Sequence, residues 1–205
     1  MLNKKPLFIT GIGTGIGKTI ISAILVEKLK ADYWKPIQSG DLEDSDTLKV
    51  KRLVSNTIST FHPETYRLTQ PFSPHKSAAI DNINIEKEKF IIPATDNLLL
   101  IEGAGGLMVP LNNDFLMIDL IKQLNAEVVL VSQNYLGSIN HTLLSVAALK
   151  QYDINIAGII FNGRTDTDSE SYILDYTGIK LLGAVPEYEL IDKNTIIDAG
   201  KYISL

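Results

Sequence analysis

Three patterns follow one another near the start of the chain. Residues 7–10 are apolar, Gly11-Ile12-Gly13-Thr14-Gly15-Ile16-Gly17-Lys18-Thr19 is glycine-rich, and Ile20, Ile21, Ile24, Leu25 and Leu29 recur at helical spacing. Glycines let a backbone turn tightly and aim successive N–H groups inward, at the positive end of the helix that follows. A lysine closing such a loop meets the terminal phosphates of a nucleotide, and the hydroxyl beside it meets Mg²⁺. Strand, loop and helix in this order therefore predict a phosphate-binding loop, with Lys18 on the phosphates and Thr19 on the metal. The usual loop carries a glycine five residues before the second one; that place is Ile12, and Gly11 stands one residue further back. The loop is thus a variant with one extra residue. The dinucleotide fingerprint Gly-x-Gly-x-x-Gly does not occur.

The rest of the chain repeats the alternation of short apolar runs with longer periodic stretches. Strands are expected at residues 32–36, 98–101, 127–132, 154–161 and 179–185, and helices at 18–30, 44–54, 117–124, 140–151 and 169–176. Residues 55–93 hold His62-Pro63, Gln70-Pro71 and Ser73-Pro74, so this stretch should be broken by turns and wrap the surface. The order predicts an α/β fold, a mostly parallel sheet with helices on both faces. No linker or repeat interrupts the 205 residues, a length suited to one core, so residues 1–205 read as a single P-loop domain. Ligands of such sheets bind beyond the carboxyl ends of the strands.

Composition removes several classes of function. The formal charge of −5 argues against nucleic-acid binding, which needs a basic face. The chain has no cysteine, which excludes disulfides, thiolate metal sites and cysteine nucleophiles, and suits a reducing compartment. No stretch has the apolar length of a membrane span, and residues 1–6 run directly into a strand-like segment. A cytoplasmic protein without membrane partners is expected.

MgATP needs carboxylates to hold its metal. Glu102 ends the apolar run at residues 98–101 and is followed by Gly103-Ala104-Gly105-Gly106, the place of a metal-binding acid, with glycines that let backbone approach a nucleotide. Asp44 and Asp46 open a helix and, taken alone, read as groups complementing its dipole. Lys35, between Trp34 and Pro36, reads alone as a solvated strand-end lysine; facing a phosphate loop it becomes a candidate for stabilising charge on a reacting group. His62, His75 and His141 show no metal-ligand spacing and no triad context.

Several separated segments together resemble one family, the dethiobiotin synthetases. They are the phosphate loop, Trp34-Lys35-Pro36-Ile37-Gln38-Ser39-Gly40, Ser45-Asp46, Ser73-Pro74-His75, Glu102-Gly103-Ala104-Gly105-Gly106, Leu136-Gly137-Ser138-Ile139-Asn140-His141, Asn162, Pro186 and Gly200-Lys201-Tyr202-Ile203. The resemblance implies ring closure of 7,8-diaminononanoate with CO₂ and ATP to dethiobiotin, ADP and phosphate, through a carbamate and its mixed anhydride with phosphate. It implies that Thr19, Asp46 and Glu102 hold Mg²⁺, and that Gly15, Ile16, Gly17, Lys18, Thr19 and Ile20 cradle the phosphates. Lys35 matches the family's active-site lysine, with Lys18 as its catalytic companion, and Thr14 and Ser39 match substrate contacts. Gly103, Ala104 and Gly105 line the nucleotide, and Asn162, Gly163, Pro186 and Glu187 surround its base. The family acts as a homodimer in which Leu136, Gly137, Ser138 and Asn140 reach the substrate of the other subunit.

The chain departs from the family at Gly13, where an aspartate is common, and is shorter between Ala79 and Asp96, where a trimmed helix is expected. Glu187, Glu189 and Asp192 compete for the family's late acidic contact to the nucleotide. A partition-type ATPase would carry a second lysine where Gly13 stands, and its membrane helix has no counterpart in the tail at residues 193–205. A cobyrinate-type amide synthetase would need a cysteine-dependent glutaminase domain, and a dead binding module would not keep Lys18, Thr19, Lys35, Asp46 and Glu102 together.

Overall fold

The structure, a computed structural model, describes residues 5–205. What was expected of the first four residues lies outside them. The described residues form nine strands: β1 (Leu7–Gly11), β2 (Asp32–Trp34), β3 (Ile37–Ser39), β4 (Phe61–His62), β5 (Tyr66–Leu68), β6 (Leu99–Glu102), β7 (Glu127–Ser132), β8 (Ile156–Asn162) and β9 (Leu181–Val185). The helices are α1 (Lys18–Leu29), α2 (Asp46–Leu53), α3 (Pro74–Ile80), α4 (Met117–Gln123), α5 (Ser138–Gln151), α6 (Thr167–Thr177) and α7 (Lys193–Ala199).

Seven strands make one sheet in the order β4-β2-β6-β1-β7-β8-β9, and every pairing in it is parallel. Successive strand residues face opposite sides, so each strand feeds two cores. Phe8, Trp34, Leu99, Ile101, Val128, Leu130 and Phe161 point to one face, under α3, α4, α5 and α6. Ile9, Tyr33, Leu100, Val129, Val131 and Ile160 point to the other, under α1, α2 and α7. Each fully buried large side chain contributes roughly 1.5–3 kcal/mol, so the two interfaces hold the layers together without disulfides.

The single strand expected at residues 32–36 is two strands. Pro36 offers no N–H to a ladder and Lys35 precedes it, so the main sheet releases the chain after Trp34. Residues 37–39 then pair with β5 in a small parallel sheet, Ile37 opposite Tyr66 and Ser39 opposite Leu68. The turn-rich stretch at 55–93 contains β4, β5 and α3, and between Ile80 and Leu99 only one turn of 3-10 helix, Lys87–Lys89, stands where a trimmed helix was expected. The helix foreseen at 44–54 begins at Asp46, because Ser45 caps it through Leu48 N–H. The tail forms α7 and a 3-10 turn, Gly200–Tyr202. Among the described residues no helix is long and apolar enough to cross a membrane.

Candidate active site

The loop between β1 and α1 has the geometry its glycines allow. Gly17 lies at φ +88°, where an L side chain is strained, and a Cβ there would also displace the Asn162 amide, which would lie 2.1 Å away. Asn162, at the carboxyl end of β8, donates from that same nitrogen to the Ile16 carbonyl at 3.0 Å and so braces the loop. No side chain caps α1, and its first turn carries no acid. Its free N–H groups and dipole therefore remain available to an anion. Lys18 Nζ donates to the Gly13 carbonyl at 2.8 Å. Burial lowers its pKa to about 8, the nearby Lys35 acting the same way and Glu102 and Asp46 in the opposite sense.

Beside the loop, strand register brings three functional groups together. Ile9 pairs with Glu102, and Trp34 with Ile101, so the chain leaves β2 and β6 with Lys35 and Glu102 abreast. Lys35 Nζ lies 2.9 Å from Asp46 Oδ2 and 3.2 Å from Glu102 Oε1, and also donates to the Gly103 carbonyl at 3.2 Å. Burial pulls the Lys35 pKa down, yet the two carboxylates outweigh it and hold the ammonium above its usual value. Burial pushes Asp46 up, and Lys35, then Lys49 and the Thr19 hydroxyl, override that and keep it low. Thr19 Oγ1 donates to Glu102 Oε1 at 2.9 Å. Gln38 holds the start of α2, its amide oxygen accepting the Asp46 backbone N–H at 3.2 Å while its nitrogen donates to the Gly40 carbonyl at 2.9 Å.

Two carboxylates and a hydroxyl thus converge at the mouth of the phosphate loop. Among the described residues no group of three or more His, Cys, Asp or Glu could hold a metal unaided. This donor set suits a hard cation that keeps some waters and takes further ligands from a substrate phosphate, as Mg²⁺ does.

These groups line one cavity of about 610 Å³ that includes Thr14, Gly15, Gly17, Lys18, Thr19, Lys35, Ser39, Asp46, Glu102, Gly103, Ala104 and Gly105. Ser39 Oγ is buried with no hydrogen-bond partner among the described residues, a polar atom left for a ligand. A second, smaller cavity of about 180 Å³ is lined by Ile20, Asn162, Gly163, Pro186 and Glu187. Of the three competing acids, Glu187 lines that cavity, whereas Asp192 caps α7 through Thr195 N–H. Ile16 is buried and does not line the cavity; its carbonyl accepts from Asn162. Leu136, Gly137, Ser138 and Asn140 are not brought to the phosphate cavity of their own chain; they border a separate surface hollow of about 880 Å³. Leu136 is fully exposed there, while Ser138 is buried.

Sequence reasoning missed Tyr33, Gln38, Pro71, Phe72, Pro74 and Val109. All but Tyr33 line the phosphate cavity, and Tyr33 touches Glu102 from behind. Ser73-Pro74 was visible as a turn signal and, like Gln38, as part of a family segment, but neither pattern says what the side chain faces.

An all-parallel sheet with its glycine loop, phosphate lysine and strand-end acid at the carboxyl edge defines a P-loop nucleotide-hydrolase fold. A family profile described as an AAA domain matches residues 5–195. The ParA family ATPase of Chlorobium tepidum superposes with a TM-score of 0.60 at 17% identity, over 98% of this chain and 100% of that one. MinD of Pyrococcus horikoshii, complexed with Mg-ADP, gives 0.58 at 15% identity, over 95% and 86%. At such identities the likeness is one of fold alone. The ATP-dependent dethiobiotin synthetase of Christiangramia forsetii is 50% identical over 94% of this chain and 92% of its own length. That of Cytophaga hutchinsonii is 48% identical over 94% and 93%. The chain belongs to the dethiobiotin synthetase family.

Proposed function

We propose that this chain is an ATP-dependent dethiobiotin synthetase, a cyclo-ligase of biotin synthesis that joins 7,8-diaminononanoate and CO₂ at the expense of ATP. The observation that carries the assignment of the site is Lys35, a buried ammonium 2.9 Å from Asp46 and 3.2 Å from Glu102, beside the phosphate loop. One amine of the substrate adds to CO₂, forming a carbamate and releasing a proton. A carbamate oxygen attacks the γ-phosphorus of ATP, and ADP leaves. The second amine attacks the carbamoyl carbon, the bond to phosphate breaks, and the ureido ring closes with loss of a proton. Every intermediate is anionic, so the protein's part is to position and to stabilise negative charge.

Lys18 and the N–H groups from Gly15 to Ile20 hold the β- and γ-phosphates, and Lys35 faces the carbamate and the transferring phosphoryl group. Thr19, Asp46 and Glu102 would hold Mg²⁺, which neutralises phosphate charge when bound. Thr14 and the unpaired Ser39 hydroxyl contact the substrate, and Gly103 to Gly105 flank the nucleotide. Asn162, Gly163, Pro186 and Glu187 receive the adenine. The distance of Leu136, Gly137, Ser138 and Asn140 from their own phosphate cavity supports a homodimer in which they serve the partner's substrate. Each subunit is a single domain, and the enzyme works in the cytoplasm, without nucleic-acid or membrane partners.

Phosphate release from MgATP and bicarbonate, with and without the diamine, tests the reaction. One ureido product per phosphate is expected, and diamine-independent hydrolysis would sink the assignment. Lys35→Ala should abolish turnover while nucleotide binding survives. Mixing that variant with Asn140→Ala should restore activity in heterodimers; none after proven exchange would argue against a shared site.

A further inference from the structure

Glu102 has two carboxylate oxygens with different surroundings. Oε1 faces the cavity, where it accepts from Thr19 Oγ1 at 2.9 Å and from Lys35 Nζ at 3.2 Å. Oε2 faces the protein interior and accepts from the Tyr33 hydroxyl at 2.9 Å. Glu102 is 1% exposed and Tyr33 fully buried, so no water competes for this bond. Tyr33 does not line the cavity. Its ring belongs to the core under α1 and α2, and lies 6.0 Å between centroids from Phe61 of the edge strand β4. Its backbone pairs with Leu100 on one side and Phe61 on the other. The phenol is therefore fixed at both ends, by the sheet and by the carboxylate.

We propose that Tyr33 is a positioning residue for the metal ligand Glu102: its hydroxyl occupies Oε2, so that Oε1 is presented toward Thr19 and the phosphate loop. The proposal rests on Glu102 being a metal ligand, as read above. A carboxylate on a short strand end can rotate about its last torsion, which is broad and two-fold. Held on one oxygen by a rigid buried donor, it keeps one orientation before any ligand arrives. Second-layer hydrogen bonds of this kind orient ligating carboxylates, and losing one typically weakens metal binding by about 10–100-fold. A merely structural phenol would have no such effect, because its bond would matter to folding and not to the direction in which Oε1 points.

Tyr33→Phe removes the hydroxyl and keeps the ring. Mn²⁺ is the probe, its binding to the enzyme–ADP complex followed by electron paramagnetic resonance, alongside metal-free ADP affinity and the urea midpoint. The expected result is a Mn²⁺ dissociation constant raised about tenfold with metal-free ADP affinity unchanged. In a Glu102→Gln background the same change should add nothing, since Tyr33 acts through that carboxylate. Unchanged Mn²⁺ affinity in Tyr33→Phe, even with a lowered urea midpoint, overturns the proposal and leaves the phenol a structural partner. So does an equal loss of Mn²⁺ and metal-free ADP binding, or full additivity with Glu102→Gln. If Glu102→Gln alone leaves Mn²⁺ affinity intact, the ligand assignment and the proposal fall together; if only Tyr33→Phe is silent, the assignment stands.

Discussion

Replacing Lys35 by Met tests the electrostatic logic of the site most directly. Methionine keeps most of the aliphatic stem, so the change removes a charge without opening a large cavity. What remains is Glu102, 1% exposed, and Asp46, its side chain 25% exposed, without the ammonium that lay between them, while Lys49 stays 4.0 Å from Asp46. Breaking a buried pair by removing one partner typically costs about 3–5 kcal/mol. Asp46 is partly wetted, and Glu102 keeps its bonds from Thr19 and Tyr33, so the loss should lie near the low end, about 3 kcal/mol. In a chain of 205 residues a loss of about 3 kcal/mol corresponds to a drop of roughly 6–12 °C in melting temperature.

The assay is urea unfolding in a chelating buffer, repeated with Mg²⁺ and ADP. Mg²⁺ supplies the charge that the lysine no longer does, so it should stabilise the variant more than the wild type, whose ammonium already sits between the two acids. Turnover should remain absent in either buffer. A variant as stable as wild type without metal, or equally stabilised by it, would refute the claim that Lys35 balances these carboxylates.

Further outcomes follow from the same contacts. Glu27 accepts Lys30 Nζ at 2.7 Å and Ser55 N–H at 2.7 Å, and these bonds, with that from Asn56, overcome burial to hold its pKa at about 2. A depressed carboxylate stabilises fully above its unfolded value and loses that stability as pH falls toward about 2, so Glu27→Gln should cost up to about 3 kcal/mol near neutrality and almost nothing near the acid end; a gap in urea midpoints that does not change with pH would contradict this. Because burial holds Lys18 at about 8, it is charged below that pH and loses its proton above it. Metal-free ADP should therefore bind more weakly as pH rises beyond about 8, and calorimetry showing flat affinity up to pH about 10 would remove the lysine from phosphate binding. Gly17→Ala, forced into φ +88° against Asn162, should weaken nucleotide binding roughly tenfold or more while far-ultraviolet dichroism stays native; unchanged affinity would show that the loop tolerates a Cβ.

The phosphate loop, its lysine and the acid after an apolar strand were legible in the sequence because each depends on local chemistry. Glycine is needed where φ is positive, a helix start leaves N–H groups free, and a carboxylate ending the apolar β6 stands out in a window of a few residues. The alternation of periods gave the α/β class for the same reason. Lys35 and Asp46 lay at the limit: each had an ordinary local explanation, and only the family pattern assigned them a role. The tertiary structure decided what depends on register and on strand order. Inserting β6 between β1 and β2 is a non-local choice, and it alone sets Glu102 beside Lys35. The release of the chain at Pro36 could be read from the ring's missing N–H, but not that residues 37–39 would pair with β5 and turn Gln38 toward Asp46. Tyr33 looked like any buried strand aromatic, because its hydroxyl meets a partner 69 residues away and a one-residue slip would have sent it to the opposite face. Covalent neighbours dictate conformation and capacity; contacts between distant segments are settled only when the two cores pack and fix which strand lies next to which.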